Sequence, residues 1–293
     1  MEQSSAFFSS VEELVPHGPE ELREVYVSQS GYTVLSTGVI DGRRVALKSL
    51  NPGRAGDPFY EGLLVKEFEI GRHLDHPNIC RTLDFISIPE LGNCIVMQWI
   101  EGESLQNLLD RGVAVPPRKL FLQLCDALEY IHSRQIIHRD LKPGNILITT
   151  NGQNVKLIDF GLSDTDDYAV LKNPAGTPDY ASPEQKRGES LDNRSDIYSL
   201  GRIMQEMGVY SGIAGACLKE DRNERISDVA DVRSALTRRY RVRNLLIAAT
   251  FVLAMSASGA LYALLPDIRK AREQRAVDAV YEQISSEIRS AGN

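Results

Sequence analysis

The stretch IIHRDLKPGNILI, residues 136–148, sets Asp140, Lys142 and Asn145 between the apolar pair Ile136-Ile137 and the apolar run Ile146-Leu147-Ile148. A solvated turn between two strands explains polarity but needs no particular side chains. Here a carboxylate is followed by an ammonium two residues on and an amide five residues on. Beyond Asn145 the device recurs in VKLIDFGLS, an apolar run that ends in Asp159, Phe160 and Gly161. Asn145 and Asp159 carry hard oxygens, and from the ends of adjacent hairpins they can share Mg2+, which takes few protein oxygens together with phosphate. Asp140 is then left to act as a base or to orient a substrate.

Groups so scattered along a chain need a framework to bring them together. Residues 21–49 read as short β-branched runs broken by Gly and Asp-Gly, the pattern of hairpins. FYEGLLVKEFEIGRHL has apolar residues at helical spacing, and RTLDFISI and NCIVMQWI are strand-like again. After Ser104 the pattern turns mainly helical, as in PRKLFLQLCDALEYIHS and RSDIYSLGRIMQEMGVY. Strands first and helices second predict an α+β fold of two lobes, with a ligand cleft between them.

The chain of 293 residues is 42% hydrophobic with a formal charge of -7, enough to bury a substantial core and the wrong sign for holding nucleic acid by general phosphate attraction. Cys80, Cys94, Cys125 and Cys217 have no metal-ligand spacing and are expected to be reduced and buried. The N-terminal text has acidic residues and no basic head before an apolar core, unlike a secretory signal. Residues 245–265 carry no charge, follow the basic segment RRYRVR and end at Pro266, which predicts one transmembrane helix stopped by the proline. In the tail, residues 266–293, Val277, Val280, Ile284 and Ile288 share a helical face, and small residues Ser256, Gly259, Ala260 and Ala263 in the span suit close packing in a homodimer.

The motifs in this order resemble the eukaryotic-type (Hanks-type) Ser/Thr protein kinases, in particular the bacterial membrane-anchored ones, over residues 22–237. The resemblance implies a bilobal protein-kinase fold, with a small β-rich N-lobe and a helical C-lobe, and it implies ATP and Mg2+, with Mn2+ as a substitute metal. Lys48 in VALK falls on the ATP-anchoring lysine and Glu67 on its helical partner. Asp140 falls on the catalytic-loop aspartate and Lys142 on the lysine that marks Ser/Thr kinases, while Asn145 and Asp159 fall on the metal ligands. Ala46 and Leu147 correspond to the ceiling and floor of the adenine pocket, Met97 to its gatekeeper, and Gln98 and Ile100 to the backbone that bonds the ring. GTPDYASPEQ matches the end of the activation segment with Thr177 and Glu184, Asp196 matches the brace of the catalytic loop, and Arg225 matches the partner of Glu184.

Three departures qualify what the resemblance implies. The glycine-rich loop falls at SQSGYT, with Ser28, Ser30 and Thr33 at the glycine positions and Gly31 out of register, which predicts weakened ATP binding. Gly71 stands where the family packs a bulky apolar residue behind Phe160, which predicts a loosely held active conformation. Between Met207 and Arg225 the chain is shorter than the family by a long loop and a helix that contribute to protein-substrate binding. These departures motivate an alternative, a pseudokinase that binds nucleotide or acts as a scaffold. In the activation segment Ser163, Thr165, Tyr168 and Thr177 are candidate phosphate acceptors, with Arg139 as the receiver of a phosphate. The organisation expected is an N-terminal extension (1–21), the kinase domain (22–237) on the cytoplasmic side, a basic juxtamembrane segment (238–244), the span (245–265) and a short outer tail (266–293).

Overall fold

A computed structural model of the chain describes residues 19–27, 31–160 and 179–291. Its first strands are β1 (Glu20–Val27), β2 (Thr33–Ile40) and β3 (Arg43–Leu50). Asp41 and Gly42 join β2 to β3 with φ of 48° and 70°, the left-handed pair that a two-residue hairpin turn requires. With β4 (Thr82–Ile88) and β5 (Gly92–Gln98) they make an antiparallel sheet of order β1-β2-β3-β5-β4. Alternation along β3 sends Val45 and Leu47 into one apolar cluster with Cys94 and Val96, and turns Ala46, Lys48 and Leu50 to the other face. Helix α1 (Pro58–Gly71) covers that second face through Leu64, which clusters with Leu50 and Ile95. Asp57 caps α1 by accepting from the Phe59 N–H at 2.9 Å, and Pro58 opens the helix, where its missing N–H costs nothing.

The rest of the body is helical around a small sheet, β6 (Gly102–Ser104), β7 (Ile146–Thr149) and β8 (Val155–Leu157). Its helices are α2 (Leu105–Asp110), α3 (Pro117–His132), α4 (Pro183–Arg187), α5 (Arg194–Glu206) and α6 (Ser211–Cys217). Leu120, Leu124, Leu128 and Ile131 recur on one face of α3 and bury themselves against Ile197, Leu200, Ile203 and Met204 of α5 in a single large cluster. The two lobes of the α+β reading are therefore present. They are stitched by backbone bonds from the Cys80 N–H to the Leu157 carbonyl at 2.9 Å and from the Leu157 N–H to the Asn78 carbonyl at 2.8 Å.

Two details differ from the sequence reading. Ile136 and Ile137 belong to no strand, because the backbone after them is gripped by a buried side chain rather than by a ladder. Pro266 does not stop the last helix: α7 runs through it from Val229 to Ala291. A proline removes one helical hydrogen bond and bends the axis without ending a long helix. Two compact units divide the chain, Met1–Leu236 and Thr237–Asn293. Val229, Val232 and Leu236 of α7 are buried in the first unit. The second unit includes the apolar residues 245–259, and within Val229–Gly259 the helix is long and apolar enough to cross a membrane.

Candidate active site

Lys48 reaches the site because β3 alternation points it to the face that α1 covers. Glu67 meets it there, on the buried stripe of α1 that holds Leu64, Glu67 and Gly71. Lys48 Nζ donates to both Glu67 carboxylate oxygens at 2.7 Å and to Asp159 Oδ1 at 2.9 Å. The Phe160 backbone N–H also bonds Glu67. Burial pulls the Lys48 pKa down, but Asp159 and Glu67 outweigh it and hold the ammonium above its ordinary range. Burial pushes the Glu67 carboxyl up, with Lys48 opposing. Asp159 has φ of 68°, the left-handed region, so the chain turns sharply as it leaves β8 and sends Phe160 inward. Phe160 is 5% exposed, packs its ring 5.2 Å from that of His138 and lies in the main cluster with Leu74 and Ile79. Phe160 is thus packed in the core although Gly71 places no side chain behind it.

A second group is built on the segment that runs into and through the short 3-10 turn Pro143–Asn145. Lys142 Nζ donates to Asp140 Oδ2 at 2.7 Å, and Asn145 Nδ2 donates to the Asp140 carbonyl at 2.8 Å and to its Oδ2 at 2.9 Å. Burial lowers the Lys142 pKa, and Asp140 more than restores it, so the ammonium stays charged. Because Nδ2 of Asn145 faces Asp140, its amide oxygen is turned the other way. The backbone bond from the Ile158 N–H to the Asn145 carbonyl, 3.0 Å, joins this group to Asp159.

The rigidity of the segment comes from Asp196 at the start of α5. Fully buried, it accepts from the His138 N–H at 2.8 Å and the Arg139 N–H at 2.9 Å, and its Oδ2 pairs with His132 Nε2 at 2.8 Å. Burial opposes the charge on Asp196, and the bonds from His132 and His138 overcome it, holding its pKa below the usual carboxylate range. Arg139 takes φ of 65°, and Gln185 Nε2 donates to its carbonyl at 2.7 Å. Gln185 is itself fixed by a capping box with Ser182 at the start of α4. His132 and Gln185 escaped the sequence reading, since neither type nor spacing announces a partner 64 or 46 residues away. Next to Gln185, Glu184 forms a two-pronged pair with Arg225 at 2.6 Å per bond and accepts from Ser195 Oγ at 2.9 Å.

The residues read for adenine are less tightly tied. Ala46 pairs with Met97 across β3 and β5, and Leu147 is on the face of β7 opposite Ile146 and Ile148; both lie outside the apolar clusters. The Gln98 N–H is occupied by the Arg81 carbonyl at 2.9 Å, and its carbonyl takes the Cys80 thiol at 3.5 Å. Ile100 follows in the segment between the lobes. Behind that segment is a hollow of about 520 Å3 lined by Pro77, Trp99, Asp126 and Lys156, away from Lys48 and Asp140. Ser28, Ser30, Ser163, Thr165, Tyr168 and Thr177 lie outside the described residues. Thr33, the third altered glycine position, is buried at the start of β2.

For a divalent cation the donor set fits. Asp159 offers a carboxylate that is 40% exposed, and Asn145 offers the amide oxygen that its bonds to Asp140 leave over. Two hard oxygens with room for phosphate and water suit Mg2+ or Mn2+.

Comparison with known proteins gives a consistent result. The protein kinase domain family matches residues 29–241. A probable serine/threonine-protein kinase of Streptomyces coelicolor is 37% identical over 181 residues, 57% of this chain and 26% of that one. A serine/threonine-protein kinase of Myxococcus xanthus is 36% identical over 200 residues, 64% of this chain and 23% of that one. The chain thus spans about a quarter of the length of these relatives. The crystal structure of the Mycobacterium tuberculosis PknI kinase domain shares the fold, with a TM-score of 0.58 at 22% identity over 76% of this chain and 98% of that one.

Proposed function

Because the chain belongs to the protein kinase domain family, we propose that it transfers the γ-phosphoryl group of ATP to serine or threonine hydroxyls of proteins, from a membrane to which α7 anchors it. The observation that carries the reading is the convergence of Lys48, Glu67 and Asp159 within 2.9 Å, beside a separate group on Asp140. A phosphoryl group passes through a loose transition state, so the protein's task is positioning and charge neutralisation. Lys48, oriented by Glu67, receives the α- and β-phosphate oxygens. Asp159 and Asn145 hold the metal ion, which when bound offsets negative charge on the phosphate oxygens. Asp140 accepts the proton of the substrate hydroxyl as its oxygen bonds phosphorus and the bond from phosphorus to the β-phosphate oxygen breaks. Lys142 keeps Asp140 in place and offers its ammonium to the γ-phosphate. Ala46 and Leu147 enclose the adenine, Met97 limits its depth, and the backbone bonds its edge at Ile100 and at the Gln98 carbonyl, which has a second lone pair beside the one facing the Cys80 thiol.

The test is ATP-dependent phosphorylation by the full chain in detergent, beside Lys48→Met and Asp140→Asn. Turnover in the wild type and a loss of at least about 100-fold in each variant support the reading. Nucleotide binding without turnover in any form would favour the pseudokinase that the altered residues 28, 30 and 33 motivate.

A further inference from the structure

Helix α1 meets β4 through a glycine. Gly71 is buried at the end of α1, and a Cβ built on it would sit 2.3 Å from Thr82 Oγ1, 3.2 Å from Thr82 Cβ and 3.7 Å from Thr82 Cγ2. Rotation of Thr82 relieves the hydroxyl contact only by turning its methyl group or Cβ hydrogen toward Gly71, and a β-branched side chain has few alternatives. Helix and strand are therefore close enough here that a side chain at position 71 meets that of Thr82. Glycine is a poor helix residue, so its presence calls for a packing reason, and close approach is one that only glycine meets.

Gly71 is one helical turn beyond Glu67 on the same buried stripe, about 6 Å along the axis. A helix is stiff over one turn. Displacing α1 at Gly71 must move the Glu67 carboxylate, whose bonds to Lys48 are 2.7 Å long and have no slack. The residues flanking Gly71 carry the other load: Leu74 belongs to the cluster that holds Phe160, and Ile70 packs against it. We propose that the contact of Gly71 with Thr82 is the stop on which α1 seats, and that it sets Glu67 on Lys48 and thereby the grip on the ATP phosphates. Gly71 and Thr82 are then positioning residues that touch no substrate. The inference rests on the kinase reading of the site.

Full-length protein in detergent is compared as wild type, Gly71→Ala, Thr82→Ala and the double variant, with melting temperature recorded for each. Gly71→Ala is expected to raise the KM for ATP about tenfold, with little change in the KM for the protein substrate. Thr82→Ala in the same chain removes the 2.3 Å clash and is expected to return the KM for ATP to within about threefold of wild type. If Gly71→Ala does not fold, Thr82→Leu fills the contact from the strand side and is expected to raise the KM for ATP likewise. A lowered melting temperature with an unmoved KM for ATP in these variants overturns the proposal while leaving the kinase reading intact. Should the wild type bind ATP without turnover, the same shifts are read in the Kd for ATP. A wild type that neither turns over nor binds Mg·ATP overturns both.

Discussion

Glu184 and Arg225 stand 41 residues apart in sequence and are almost wholly buried, so their charges are out of water and depend on each other. Burial alone would raise the Glu184 pKa; the two bonds from Arg225 and the one from Ser195 reverse this and bring it down to about 2. A folded-state pKa below the unfolded value means that the unfolded chain binds more protons in between. The stabilisation is thus complete above about pH 4.5 and is lost as the pH falls toward 2. It amounts to about 3 kcal/mol at neutral pH. Urea midpoints recorded from pH 7 to pH 3 are expected to fall steeply for the wild type and less steeply for Glu184→Gln. At pH 7 that variant is expected to lose about 3–5 kcal/mol, because Arg225 is left with a buried charge and no carboxylate. Equal slopes for the two proteins would sink this account. At this scale the sequence spoke through identity and spacing. Lys48, Asp140, Asn145 and Asp159 could be singled out because their chemistry needs those types, whereas His132 and Gln185 act through bonds to Asp196 and to the Arg139 carbonyl that only the folded chain creates.

Between elements, what matters is how closely backbones approach. Only Met207–Tyr210 separates α5 from α6, and the helices meet at Gly201, where a Cβ would sit 2.6 Å from Cys217 Cβ and 3.3 Å from the Ala214 carbonyl. Neither atom can swing away, since both belong to or adjoin the α6 backbone. Gly201→Ala is therefore expected to force α5 and α6 apart and to cost about 1–3 kcal/mol by overpacking. Thermal unfolding measures this, and Cys217→Ala in the same chain should give no relief because its Cβ remains; recovery in the double variant would place the strain elsewhere. The shortening between Met207 and Arg225 was legible as a deletion, but the short helix that fills it and its dependence on Gly201 were not. The strands and the long helices, by contrast, announced themselves locally: β2 and β3 by β-branched runs on either side of Asp41-Gly42, and α3 by apolar residues every three or four positions. Ile136 and Ile137 had the composition of a strand and lacked the partner, for Asp196 takes the N–H groups of His138 and Arg139 that a ladder would have used.

At the scale of the molecule, α7 poses the remaining physical problem. Leu245, Phe251 and Leu253 are about two-thirds or more exposed, and residues 241–259 of α7 include no buried side chain among those described. So much apolar surface in water is unfavourable by roughly 2 kcal/mol for each large side chain, while a bilayer core of about 30 Å is matched by about 20 helical residues. Crossing a membrane removes the cost, and the question becomes which end faces which side. Arg238, Arg239, Arg241 and Arg243 precede the apolar run, and Arg269, Lys270, Arg272 and Arg275 follow it, so charge alone decides little. Need for ATP and Mg2+ decides it, because the proposed reaction draws on cytoplasmic pools. Residues 1–244 are therefore expected inside and residues 266–293 outside. Native thiols leave a clean background for testing this: all four cysteines are buried, and burial pushes Cys80 and Cys94 up to about 11 and Cys217 up to about 12. In intact cells a membrane-impermeant maleimide should label Ser290→Cys and leave Glu90→Cys, on an exposed turn of the first unit, unlabelled until the cells are opened. The reverse pattern would invert the topology and, by cutting Asp140 and Lys48 off from cytoplasmic ATP, would take the kinase reading down with it.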